Sequence, residues 1–316
     1  VDKEEVEVTQ DMIDDAKKHN ANDYWFWKAL ASKYTHSKPQ SIRIRTAEKL
    51  EEISMDNIHK VAKGNLSQTV SMLQKLSSDG DFMRMLQSGT YDGDIKDEQV
   101  PFTTATVACT RMHPTQAEIG FGNSLDDLCN DKYGAIESAF SEPVLMPAAG
   151  GKTPILCVSI GGKIYILDGH HRWSLCFMIN RNAKMQCDVM QLGEGTPEFA
   201  LKIMQMAIAA KAERVLTKDF EGKNLMSTNT AAVESYVNKN IGKKEIGLFN
   251  KYTNGELSTA NKIAKEVGEA HAVIVTMKGK FPRDLMPQAS YSGASQKDVN
   301  NALKRGTINF KEPFID

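Results

Sequence analysis

TPILCVSIGGKIYILDGHHRWSLCFMINRNAKMQCDVM, residues Thr153 to Met190, is the stretch in which backbone pattern and unusual chemistry coincide. Ile155, Val158 and Ile160 lead to Gly161-Gly162, and Ile164 to Leu167 follow, which predicts two short β-branched strands joined by a tight hairpin. After Asp168-Gly169 the period changes. Trp173, Cys176, Phe177 and Asn180 fall at helical spacing, Asn180-Arg181-Asn182 supply a polar stop, and Met185, Cys187 and Val189 alternate as a third strand. His170, His171 and Arg172 are thereby placed where a buried strand hands over to a helix N-terminus. Such a junction offers free N–H groups and a positive dipole end to an anion, and Arg172 adds a bidentate donor for phosphate oxygens.

The run of strand, Asp168-Gly169-His170-His171-Arg172, helix and strand resembles the ParB/sulfiredoxin superfamily, whose members hold nucleotide phosphates with a Gly-x-x-Arg at this junction. Upstream, Thr106 to Gln116 is similar to the strand and Pro-x-Gln turn that open such domains, here Pro114-Thr115-Gln116. The resemblance covers residues 101 to 192 and implies an α+β fold: a small mixed-sheet domain at 96–193 between mainly helical regions at 1–95 and 194–316. It also implies nucleotide or phosphate contacts from Gly169, Arg172, His113 and Gln116, a nucleoside triphosphate (ATP or CTP) as ligand, and Mg²⁺ with it. Two departures narrow the reading. Sulfiredoxins carry a catalytic cysteine where this chain has His170, so reduction of a sulfinic acid is not expected. Chromosome-partitioning members carry Gly-Glu-Arg-Arg where this chain has Gly169-His170-His171-Arg172. The motif is most similar to the Asp-Gly-His-His-Arg branch described as ParB-like nucleases in phages and mobile elements, and to the Gly-His-x-Arg of free-serine kinases.

From the chemistry of the residues themselves, a helix N-terminus disfavours imidazolium, so neutral His170 or His171 has the role of base or hydrogen-bond donor near neutral pH. Asp168 is the carboxylate that orients a histidine or holds a metal. A zinc site from Asp168, His170 and His171 alone is not expected, because adjacent side chains diverge and no further ligand stands at a usual spacing. The arrangement suits phosphoryl transfer, in which positioning and charge neutralisation carry most of the catalysis. Two function classes follow: an NTP-using phosphotransferase or NTPase, with a nuclease as a variant, or a nucleotide-gated DNA-binding module. Against both stands the plain alternative that Asp-Gly ends a strand, an arginine pairs with a neighbouring carboxylate and a buried histidine is a satisfied hydrogen-bond partner.

Length and composition bound the remainder. With 316 residues, 41% of them hydrophobic, the chain has enough apolar material for one large or two ordinary domains. The five cysteines show no short paired spacing, which predicts free thiols and a reducing cytoplasm. No apolar run approaches the roughly 20 residues of a membrane span. The acidic start, Val1 to Val8, does not read as a signal peptide, and a Val start suggests that residues precede it. A net charge of −1 removes any overall attraction to nucleic acid, although Lys and Arg exceed Asp and Glu beyond residue 200.

Taken in order, a helix is expected from Thr9 to His19, then an aromatic cluster at Tyr24 to Leu30 read as packing rather than base stacking, and a basic connector at Ser37 to Arg45. Helical periods run from Thr46 to Gly64 and from Leu66 to the stop at Ser77-Gly80, with a short piece around Phe82 to Leu86 and an acidic linker at Tyr91 to Gln99. Phe102 to Thr110 reads as a strand, helices follow around Leu125 and Ile136, and Glu142 to Pro154 reads as a loop. Its Gly150-Gly151-Lys152-Thr153 lacks the strand, spacing and helix of a phosphate loop. Thr196-Pro197 opens a helix to about Leu216. Shorter helices at Thr230 to Ile241, Lys244 to Tyr252 and Thr259 to Val267 fit either a bundle or a helix-turn-helix. Phe281 to Gln288 reads as a linker or as a unit that folds back to bring Arg283, Asp284 and Gln288 to the central site as substrate contacts.

Overall fold

The computed structural model describes residues 56–58, 60–89, 94–149, 151–277 and 279–314. The helix expected from Thr9, the aromatic cluster at Tyr24 to Leu30 and the connector at Ser37 to Arg45 lie outside them. The strands are β1 (Phe102–Ala108), β2 (Met112–Pro114), β3 (Pro147–Ala148), β4 (Gly151–Lys152), β5 (Ile155–Ile160), β6 (Lys163–Asp168) and β7 (Lys184–Gly193). Helices α1 (Leu66–Leu76), α2 (Gly80–Gln87), α3 (Phe121–Cys129), α4 (Ala135–Ala139), α5 (His170–Ile179) and α6 (Pro197–Ala212) are followed by α7 (Thr230–Asn240), α8 (Lys243–Tyr252), α9 (Ala260–Thr276), α10 (Ala289–Ser292) and α11 (Gln296–Lys304). These residues form a mixed α/β protein. No described helix is long and apolar enough to cross a membrane.

Two compact units interleave along the chain. One takes the described residues up to Val100, Leu201–Leu216 and those from Gln288 onward; the other takes Pro101–Ala200 and Thr217–Pro287. The α/β segment expected at 96–193 falls in the second unit apart from its first residues, and the region beyond 194 is shared between the two.

The second unit carries a five-stranded mixed sheet of order β1-β7-β5-β6-β2. Gly161 and Gly162 take φ of 55° and 76°, the left-handed angles required of a two-residue hairpin turn whose twist matches its strands. β5 and β6 are accordingly antiparallel, with Ile160 opposite Lys163. β5 pairs parallel with β7 on its other side, β1 closes one edge antiparallel to β7, and β2 closes the other parallel to β6. The strand expected to reach Thr110 ends at Ala108, where Cys109–Arg111 forms a single 3₁₀ turn before β2. The expected loop at Glu142 to Pro154 contains a small β3–β4 ribbon. Pairing Ala148 with Gly151 turns the backbone back on itself, so the segment bears no resemblance to a strand-to-helix phosphate loop.

α5 has seven consecutive buried residues, Trp173 to Ile179. A helix apolar on all sides is stable only when it is surrounded, and here α3, α4 and α9 pack around it. Its orienting bond is from Trp173 Nε1 to the Cys109 carbonyl, 3.1 Å, which ties the helix to the turn after β1. α7, α8 and α9 bury Val233, Phe249 and Val267 in the same core, which is bundle packing. α9 runs to Thr276, well past the expected end at Val267, because Ala270, His271 and Ile274 continue its buried face.

In the first unit, Asp79 caps α2 by accepting from the N–H groups of Asp81 and Phe82, each 3.0 Å away. Glu98 is fully buried, and its Oε2 accepts from the N–H groups of Phe310 (2.6 Å) and Lys311 (3.0 Å). Burial outweighs these two donors and, with Asp97 nearby, pushes its carboxyl up to about 7. The folded chain therefore holds this proton more tightly than the unfolded chain between about pH 4.5 and 7, and the stability so contributed is lost as pH rises through that window. Glu98→Gln keeps an acceptor oxygen without the charge. Chemical denaturation should show the variant gaining on wild type by up to roughly 3 kcal/mol between pH 5 and pH 8; a constant difference would contradict the assignment.

Candidate functional site

β6 ends at Asp168, and Gly169 turns the chain into α5 with φ 105°. Only glycine adopts this angle freely, and the space is closed as well. A Cβ at position 169 would stand 2.5 Å from Ile155 Cγ2 and 2.8 Å from Ile155 Cβ. The junction faces a cavity of about 220 Å³ whose walls include Gln116, Asp168, His170, His171, Arg172 and Arg283.

Each polar wall residue has an identifiable tether. His170 Nε2 accepts from the N–H of Thr115 (3.1 Å) and of Gln116 (3.2 Å). His171 Nε2 accepts from the N–H of Gly120 at 3.0 Å. A neutral imidazole that accepts at Nε2 carries its proton on Nδ1. Arg172 donates from one guanidinium nitrogen to the Thr153 carbonyl (2.6 Å) and to Thr153 Oγ1 (3.0 Å), and another nitrogen stands 3.9 Å from Asp168 Oδ2.

Arg283 reaches the cavity on a separate segment docked against the Pro114-Thr115-Gln116 turn. Phe281 N–H donates to the Thr115 carbonyl (3.0 Å), Ala117 N–H donates to the Phe281 carbonyl (2.7 Å), and Arg283 N–H donates to Glu118 Oε2 (2.8 Å). Its guanidinium then donates to Gln116 Oε1 at 3.4 Å. Of the two readings of Phe281 to Gln288, the fold-back one describes Arg283.

Burial first, and then neighbouring charge, sets the protonation of the pair. His170 is pushed down to about 3 by desolvation, with His171 and Arg283 adding to it; His171 is pushed down to about 4 by desolvation, Arg283 and Lys218. Desolvation also lowers Arg283, and Asp168 opposes that. Both histidines are thus neutral at pH 7. Two guanidinium groups then face one carboxylate, a balance that favours an anion, and α5 directs its N-terminal N–H groups to the same end.

Among the sequence candidates, Asp168, Gly169, His170, His171, Arg172, Gln116 and Arg283 all line this cavity. Three do not. His113 packs its ring against Tyr165 at 5.5 Å, Asp284 is no part of the cavity wall, and Gln288 belongs to the other compact unit. The base role expected of His170 and His171 meets a physical obstacle, since the accepting nitrogen of each is occupied by backbone N–H groups. Thr153, Thr115 and Glu118 act on the site without having been singled out. Thr115, flanked by Pro114 and Gln116, was the one within reach of sequence reasoning. Among the described residues no group of three or more His, Cys, Asp or Glu side chains stands close enough to hold a metal ion by itself. Comparison with known proteins finds no matching family model, curated protein or solved structure.

Two outcomes test this geometry. Gly169→Ala combines a left-handed φ with a clash against the β-branched Ile155 side chain, and should cost about 2 to 4 kcal/mol in denaturant unfolding. Because both histidine pKa values are depressed on folding, their contribution is complete above about pH 6.5 and is lost as pH falls toward 4 and 3. At pH 5 the loss should be about 2 kcal/mol per histidine, and His170→Gln should remove one such share of the acid sensitivity. An acid limb unchanged in that variant would contradict the buried neutral histidine.

Proposed function

We propose that the second unit is a nucleotide-binding domain of the ParB/sulfiredoxin type, and that the protein uses a nucleoside triphosphate, ATP or CTP, as a phosphotransferase or NTPase. The observation that carries this reading is the cavity at the end of β6, where Arg172 and Arg283 converge on the N-terminus of α5. Phosphate groups fit such a place because fixed guanidinium donors and helix N–H groups are already desolvated and aimed.

In this reading Arg172 and Arg283 bind the phosphates and stabilise charge that grows on the transferred phosphoryl group. Gly169 allows the backbone to approach. His170 and His171 position the turn at Thr115-Gln116 and the start of α3, with their Nδ1–H groups as additional donors. Asp168 is the carboxylate in the cavity wall with a lone pair to offer, so it takes the proton of an attacking hydroxyl or water, or contributes to Mg²⁺ binding. A Mg²⁺ bound with the nucleotide would be held by Asp168, phosphate oxygens and water, the ligand set this ion ordinarily takes, and would neutralise phosphate charge. An in-line transfer breaks the bond from the γ-phosphorus to its bridging oxygen and forms one to the acceptor oxygen. No nucleophile from the protein is required.

Calorimetry of ATP, CTP and GTP with Mg²⁺, together with a phosphate-release assay with and without DNA and small hydroxyl acceptors, tests the proposal. Arg172→Ala should weaken the tightest nucleotide by about 1.5 to 3 kcal/mol, or 10- to 150-fold. Unchanged affinity in the folded variant would remove the phosphate placement. Nucleotide binding without turnover, accompanied by DNA retention that falls steeply with salt, would favour the nucleotide-gated DNA-binding module instead.

A further inference from the structure

Beyond the phosphate cavity lies a second one of about 250 Å³, and the two share Ala148, His171 and Arg172 as walls. Its remaining boundary differs in character. Pro147, Ala149 and Leu175 supply apolar surface, Tyr133 supplies an aromatic ring, Asn123 and Asp127, one turn apart on α3, supply an amide and a carboxylate, and Lys132 supplies a cation paired with that carboxylate.

Tyr133 is held in an unusual way. Asp131, Tyr133 and Gly134 have φ of 44°, 59° and 74°, so the connection from α3 to α4 is left-handed at three of its five positions. An aromatic residue in this region is strained by of order 1 kcal/mol or more, and strain of this kind is retained where surroundings enforce it. The tether is visible. Asp131 Oδ1 accepts from Ile136 N–H at 2.9 Å, which fixes the turn. Despite that constraint the Tyr133 side chain is 54% exposed, so its ring is not there to fill a core. Lys132 Nζ stands 5.4 Å from the ring centroid and 3.0 Å from Asp127 Oδ1, which keeps ring and carboxylate on the same side of the turn.

Resting on the reading of the first cavity as a phosphate site, we infer that the second cavity receives the nucleoside of the same ligand. The base stacks on Tyr133, and Asn123 and Asp127 read its edge. A planar aromatic platform, apolar side walls and a few polar groups at one end is the combination by which proteins hold an unpaired base. Arg172 stands between the two cavities, where it can reach phosphate on one side while its planar group borders the sugar and base on the other. Asp127 accepts only, so it favours bases with an exocyclic amino group, as in adenine, cytosine and guanine, over uracil.

The test compares ATP, CTP, GTP and UTP with inorganic tripolyphosphate, each with Mg²⁺, by calorimetry on the full chain. Tyr133→Asn removes the ring while placing at a left-handed position a residue that tolerates it, so the variant should unfold at or above the wild-type temperature. It should bind the preferred nucleotide about 5- to 150-fold more weakly, the range for loss of one base–aromatic stack. Tripolyphosphate affinity should stay within about twofold, Tyr133→Trp should retain nucleotide binding, and Asp127→Asn should narrow the preference over UTP. If Tyr133→Asn leaves the difference between nucleotide and tripolyphosphate intact, the base subsite is wrong and the phosphate site stands. If wild type binds neither, the phosphate reading fails and this inference falls with it.

Discussion

The bond pair from the backbone of Thr115 and Gln116 to His170 Nε2 is the constraint on which the rest of the site depends. Two N–H groups at the end of β2 have no ladder partner, and buried donors left unpaired cost about 1 to 3 kcal/mol each. A single imidazole nitrogen accepts both. That fixes the ring's tautomer, fixes the first residue of α5, and holds the Pro114-Thr115-Gln116 turn against the strand end at Asp168. With the turn held, its Thr115 carbonyl is presented outward to the N–H groups of Lys280 and Phe281, both within 3.0 Å. The position of Arg283 is thus a downstream consequence of a histidine that burial keeps neutral at pH 7.

The electrostatics follow from the same constraint. A histidine that protonated at this point would act against Arg283 by like-charge repulsion. Burial prevents it: His170 and His171 are pushed down to about 3 and 4, with Arg283 contributing to each shift. The positive charge of the cavity is consequently carried by guanidinium groups, which do not titrate in water-accessible pH ranges. A field of this kind is fixed in place and is fully formed before any ligand arrives.

Much of the second unit was legible in the amino-acid sequence because local signals there agree with tertiary ones. Gly161-Gly162 between β-branched runs specifies a hairpin with few alternatives, and the switch in period after Gly169 marks a strand-to-helix junction. Asp168, Gly169, His170 and Arg172 could be placed from that alone. The arm that brings Arg283 could be read only as one of two alternatives, linker or fold-back unit, since a segment some 110 residues further on docks mostly through backbone hydrogen bonds that carry no local sequence signal, with Glu118 Oε2 as the one side-chain acceptor among them. His113 shows the opposite failure. Its position on β2 is close in sequence to the turn, yet side chains alternate along a strand, and its ring goes to Tyr165 instead. The interleaving of the two units was equally invisible, because α6 is apolar on every side and such a helix does not declare which core it belongs to.

The histidines also show why a motif's position is easier to read than its role. Imidazole beside an arginine at a helix start suggests a base when only the sequence is in view. Its two nitrogens are not equivalent, however, and the backbone decides which of them is left to act. Here Nε2 is consumed twice in His170 and once in His171, so what each ring can still offer is a donor. A donor lowers the energy of an anion, whereas a base accepts a proton from a nucleophile. The same geometry that makes these residues poor general bases leaves them as fixed hydrogen-bonding anchors of the Thr115-Gln116 turn and the start of α3.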